Sequence, residues 1–109
     1  MVFVMGMASI LAPVPAYADA NEAKRLYMDG MRLEQGLDYQ GAIQSYGMSL
    51  KADPTYFYGW RRIGICQQML GNLKDAAEAF DHYLASQPKD EAVKKLRQGL
   101  DEKNASAPA

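Results

Sequence analysis

Two stretches of this chain repeat one another, and the interval between them limits the fold more than any single residue does. Pro88 follows Pro54 by 34 residues, and in that register the second copy reads Trp60, Ile63, Gly64, Gln67, Ala76, Phe80, Pro88. The first copy reads Leu26, Asp29, Gly30, Leu33, Ala42, Tyr46, Pro54. Large apolar, small, small, aromatic and Pro recur in order, with the small residues at helical spacing. Gly30 and Gly64 remove bulk from a first helix where Ala42 and Ala76 bring a second one close, and Tyr46 and Phe80 fill the space beside each contact. Trp60 and Phe80 are read as core. Such a period belongs to stacked helical units, each unable to bury its apolar face alone.

These positions resemble the tetratricopeptide repeat, TPR, over about Ala23 to Pro88. The resemblance implies an all-α fold of two stacked antiparallel helical hairpins, a TPR-like α-solenoid, with a C-terminal capping helix. Hairpins are expected at about 20–53 and 54–87 and the cap at about 90–103, within one domain spanning 19–103. Asp19 and Glu22 have the spacing to cap the first helix reciprocally, which then runs to about Gln35. Helices follow over about Tyr39 to Lys51, Pro54 to Leu70 and Leu73 to Ser86, with Pro54 in the first turn of the third. In the cap, Ala92, Val93, Leu96 and Leu100 form an apolar line and Lys94, Lys95, Arg97, Asp101 and Glu102 face water. Residues 104–109 are small and polar, as in a disordered tail. Leu37 stands where the family usually has Gly, and Asp29 replaces an aliphatic residue, so the first hairpin is expected to be the weaker.

Residues 1–18 carry no charged side chain, although the chain holds 12 basic and 13 acidic residues. Val2 to Leu11 is apolar, Pro13 and Pro15 interrupt it, and Ala16-Tyr17-Ala18 has the small-x-small form cut by signal peptidases. A signal peptide over 1–18, cleaved near Ala18, implies a periplasmic or secreted protein. Met1 to Val4 lack the basic residue that normally opens such a segment, which is compatible with a start further upstream. The alternative is an apolar tail on a cytosolic protein. The apolar run is too short to span a membrane, so no membrane association is expected of the mature form. The formal net charge of −1 gives no field toward nucleic acid, and none is expected as a partner.

Catalytic chemistry finds little purchase. Cys66 is the single cysteine, in an apolar-rich helix, and reads as a packing residue; His82 is the single histidine and reads as a surface residue. No phosphate loop, metal-ligand spacing or nucleophile motif is present, so a non-enzymatic protein without metal or cofactor is expected. The resemblance to TPR places the far side of each first helix on a concave surface that holds peptides or helices in family members. On that side lie Tyr27, Met28 and Met31, with Lys24, in the first hairpin, and Tyr58, Arg61, Arg62, Ile65 and Met69 in the second. They form the expected peptide-binding groove, because Tyr offers large contact area, Met adapts, and Arg can fork onto a carboxylate. A plainer alternative has these side chains packing on the cap or on each other. Family members that grip a terminal carboxylate need polar or basic groups where Tyr27, Met31 and Ala92 stand here, leaving only Arg62 suited to that role. The expected partner is therefore a peptide segment or helix of another cell-envelope protein. The alternative is a homo-oligomer or envelope assembly packed through the open ends of the solenoid.

Overall fold

A computed structural model describes residues 19–106, with side chains through 103. The expectations for residues 1–18 and 107–109 lie outside the described residues. Among those described there are five helices and no strand: α1 (Ala20–Gln35), α2 (Tyr39–Ala52), α3 (Tyr58–Met69), α4 (Leu73–Ser86) and α5 (Glu91–Ser106). Each packs against its neighbour in the chain, so α1–α2 and α3–α4 are two antiparallel hairpins and α5 lies on α4.

The two glycines act as the repeat pattern requires. A Cβ built on Gly30 would sit 2.7 Å from Cε1 of Tyr46, and one on Gly64 would sit 2.5 Å from Cε1 of Phe80. Neither approach is open to a residue with a side chain, so each hairpin is locked by an aromatic ring lying on a bare helix backbone. Ala42 and Ala76 are fully buried beside those rings. Ser49, also buried, donates its hydroxyl to the carbonyl of Ala23 at 2.7 Å and ties α2 to α1.

Several boundaries and contacts differ from expectation, each for a local reason. The third helix begins at Tyr58 rather than Pro54, because the Asp53 carboxylate accepts both the backbone N–H (3.0 Å) and the hydroxyl (2.6 Å) of Thr55. That turn holds residues 54–57 outside the helix. At the start of α1, Asp19 accepts from the N–H of Glu22 at 3.0 Å, but the return bond is missing: Glu22 pairs with Arg25 at 2.7 Å. The Asp19 N–H instead donates to the carbonyl of Ala52 at 2.9 Å. In α5 only Val93 and Leu100 of the expected apolar line are buried, while Ala92 and Leu96 are exposed. Arg97, expected in water, reaches back to Asp81 of α4 at 2.8 Å. The helix continues through residue 106, past the expected start of a disordered tail. Leu37 takes φ +65°, matching the +82° of Gly71 at the equivalent turn of the second hairpin.

Trp60 is not a fully buried core residue. It is half-buried, with its ring stacked on the exposed His82 at 4.1 Å and 15° between planes. It packs against both apolar clusters, and the α4 residue stacked on its ring is a polar imidazole rather than an apolar side chain. His82 is thus on the surface, as expected, yet has a defined neighbour.

Candidate functional site

The eight groove residues divide into three groups. Tyr27 and Met31 are half-buried against the core shared by α2, α3 and α4, and Ile65 against the α4–α5 core, so they support the surface more than they offer it. Met28 and Met69 are exposed outside both clusters. Tyr58, Arg61 and Arg62 project from the first turns of α3, and their surroundings separate them.

Arg62 crosses to α1. Its guanidinium pairs with both oxygens of Glu34, with Nε at 3.2 Å from Oε1, and the same carboxylate accepts the hydroxyl of Tyr46 at 2.7 Å. The side chains of Arg62 and Glu34 are 24% and 13% exposed, so this pair is largely withdrawn from solvent. Cys66 is enclosed next to it, and burial, aided by the negative charge of Glu34, pushes its thiol up to about 12. Burial and the bond to Glu34 likewise raise the Tyr46 hydroxyl. A thiol held protonated in this way is a poor nucleophile, which matches the packing role read from the sequence. Glu34 was not singled out there, although one signal existed: an acid in the last turn of a helix opposes the macrodipole and implies a cation nearby.

Arg61 is held differently. Among the described residues it belongs to no ion pair. Its guanidinium carbon lies 5.9 Å from the centroid of the Tyr83 ring, and its Nε is buried with no hydrogen-bond partner. The hydroxyl of Tyr83 donates to Asp90 at 2.7 Å; that bond, joined by the N–H of Val93, lowers the carboxyl below its ordinary value. Arg61 ends a continuous run of rings. Tyr46 meets Tyr27 at 5.3 Å, Tyr27 meets Tyr56 at 5.4 Å, and Tyr56 meets Tyr58 at 5.8 Å. Phe57 then links Tyr58 (4.7 Å) to Tyr83 (6.0 Å). Tyr56, Phe57 and Tyr83 were absent from the expected groove; the turn at residues 54–57, which periodicity does not foresee, brings the first two into it. These tilted and edge-on pairs add to area burial and hold the rings in place.

A second concavity lies on another side of α3. It encloses about 650 Å3 and is lined by Ile43, Gly47, Leu50, Lys51, Pro54, Trp60 and Ile63. All but Lys51 are apolar or glycine.

The family model for the tetratricopeptide repeat matches residues 32–100, which is more than half of the chain. The chain belongs to the tetratricopeptide repeat family. Among solved structures, it is similar to the first TPR of Spaghetti (RPAP3), determined with the HSP90 peptide SRMEEVD. The identity is 17%, the match covers 83% of this chain and 98% of that one, and the TM-score is 0.46. No curated protein matches the chain. Membership fixes the architecture as a TPR scaffold, the kind of solenoid whose surfaces serve protein interaction. Among the described residues no helix is long and apolar enough to cross a membrane, and no group of His, Cys, Asp and Glu is placed to hold a metal.

Proposed function

We propose that this TPR protein is an exported adaptor that holds a segment of a cell-envelope partner against the aromatic face formed by α1, α3 and the turn between α2 and α3. The observation carrying this reading is Arg61, a guanidinium fixed over Tyr83 beside the exposed Tyr58, held in no ion pair among the described residues and drawn only at longer range to Asp90. A half-desolvated cation on an aromatic support is suited to an acidic side chain flanked by apolar ones. Arg62 does not share that role, because Glu34 already occupies it. With Tyr27, Met31 and Ala92 at the other positions, recognition of a terminal carboxylate by the family's clamp is disfavoured. Export rests on the uncharged segment before Asp19 and its Ala16-Tyr17-Ala18 end.

The 650 Å3 cleft at Trp60 and Ile63 supports a second seat for the same kind of partner, through an apolar side chain. Assembly through open ends is less well supported. The outer face of α1 carries the Glu22–Arg25–Asp29–Arg32 ion-pair chain, and α5 carries Glu91–Lys94 and Arg97–Asp101. Light scattering on the mature protein is expected to give a monomer, whereas a dimer or larger species would favour the assembly.

In-cell photocrosslinking tests the adaptor reading. A benzophenone amino acid at Tyr58 should trap a discrete envelope protein, one at Arg25 should trap none, and Arg61→Gln should abolish the Tyr58 adduct. Trapping from Ile43 alone would move the site to the cleft. Absence of any adduct from both positions would overturn the reading.

A further inference from the structure

At the first described residue, the Asp19 backbone N–H donates to the carbonyl of Ala52 at 2.9 Å. Ala52 is the last residue of α2, where carbonyls without helical partners carry the negative end of the helix dipole. Beside it lies Asp53, a buried acidic residue. We propose that this corner is a seat for an α-ammonium group, created when the chain is cut between Ala18 and Asp19. The inference rests on the leader reading above.

The cut is a hydrolysis by an endopeptidase of the signal-peptidase class. Water adds across the Ala18–Asp19 amide, the C–N bond breaks, and the hydroxyl stays on Ala18, which leaves as a carboxylate. Its proton and the remaining hydrogen go to nitrogen, giving the Asp19 α-ammonium at neutral pH. A neutral amide donor thereby becomes a charged one at the same place. Charged donors make bonds roughly twice as strong as neutral ones, and this one faces the cation-favouring end of α2.

One effect opposes it. The same nitrogen stands just before α1, whose N-terminal end is positive, and in an isolated helix a free amine there is unfavourable. Here the Asp19 carboxylate accepts from the Glu22 N–H at 3.0 Å and sets a negative charge at that end, while the Glu22 carboxylate is itself paired with Arg25. Lys51, in the last turn of α2, adds a repulsion of its own. Direct contact with the Ala52 carbonyl at 2.9 Å outweighs both, because the Asp19 carboxylate already occupies the positive end of α1. Processing therefore tightens α1 onto α2, and the uncut chain has the looser first hairpin.

The test compares three forms of the domain with defined starts: a free amine at Asp19, an acetylated Asp19, and a chain beginning at Tyr17. The core draws on residues from Ala23 to Leu100, so all three contain it. Acetylation keeps the N–H, the Ala52 bond and the cap, and removes only the charge. In low salt the free form should melt about 2–5 °C above the other two, and in about 1 M NaCl that gap should shrink. An acetylated form that melts as high as the free one, or higher as in a lone helix, would overturn the seat. Because each start is set by preparation, this result stands apart from whether cells cut at Ala18, which N-terminal sequencing of the exported protein decides.

Discussion

The two hairpins are the same device built with and without a polar seam. Shifting by the 34-residue period maps Tyr46 onto Phe80, Glu34 onto Gln68 and Arg62 onto Leu96. In the first hairpin the ring that lies on Gly30 carries a hydroxyl, which bonds Glu34, which pairs with Arg62 of the next hairpin. In the second, the ring on Gly64 is a bare phenyl, and the position matching Arg62 is an exposed leucine on α5. Packing against glycine thus requires only an aromatic ring. The hydroxyl serves a separate purpose, which is to fix how one repeat sits on the next. The two repeats meet through the packing of α2 on α3, and the Arg62–Glu34 pair adds a polar tie from α3 to α1 at that junction.

If the lock is shared, breaking it should be severe in either copy. Phe80 is fully buried, and Phe80→Ala should cost about 3–5 kcal/mol, enough to unfold most of a domain this small. Thermal melts followed by circular dichroism would show it. A variant that melts within a few degrees of the parent would mean that the Gly64 contact contributes little. Trp60→Ala should cost clearly less, since its ring is covered on one side by an exposed imidazole.

The seam should come next in size and belong to the first hairpin alone. Arg62→Glu sets a carboxylate against one that is 13% exposed and removes the cation paired with it, and should cost about 2–4 kcal/mol. Arg61→Gln, one residue earlier, should cost under about 1 kcal/mol, as it loses mainly a cation–π contact. Equal losses at the two arginines would dissolve the distinction between a structural and a free guanidinium. Sequence periodicity could not draw that distinction, because both arginines fall on the same broad side of α3. Which of them meets Glu34 depends on the rotation of α3 against α1, and the four-residue delay in starting α3 helps set it. The Gly and aromatic positions were legible for the opposite reason: close approach leaves a chemical trace in the residue itself. Trp60 was misread because burial depends on what covers a residue, and here that is His82.

The connecting turns give the comparison a third, smaller form. Leu37 adopts φ +65° while 70% exposed, so it takes the left-handed conformation with little packing in return. Gly71 adopts +82° at the matching place without strain. Leu37→Gly should stabilise the domain by about 1 kcal/mol, and Gly71→Leu should destabilise it by a similar amount. Urea titrations of both variants would show whether the first hairpin is weaker at its turn, as the departure from the family pattern implies. A loss from Leu37→Gly would show that the exposed leucine has a packing partner worth more than its strain.

The sharpest test rewrites one hairpin as the other. Each single change in the seam leaves a partner stranded: Glu34→Gln leaves Arg62 without its counter-charge, Arg62→Leu leaves Glu34 largely buried and unpaired, and Tyr46→Phe removes one bond to a charged acceptor. Those losses should be about 1–3 kcal/mol for the charged pair and about 1 kcal/mol for the hydroxyl. Changing all three together gives the first hairpin the residues of the second, with no charge left to desolvate. Replacing a buried ion pair as a unit is often neutral, so the triple variant should lie within about 1 kcal/mol of the parent although its components sum to several. Near-additive losses would mean that the seam stabilises the protein outright. Near-neutrality combined with altered crosslinking from Tyr58 would mean that it sets the angle between repeats, and with it the shape of the aromatic face.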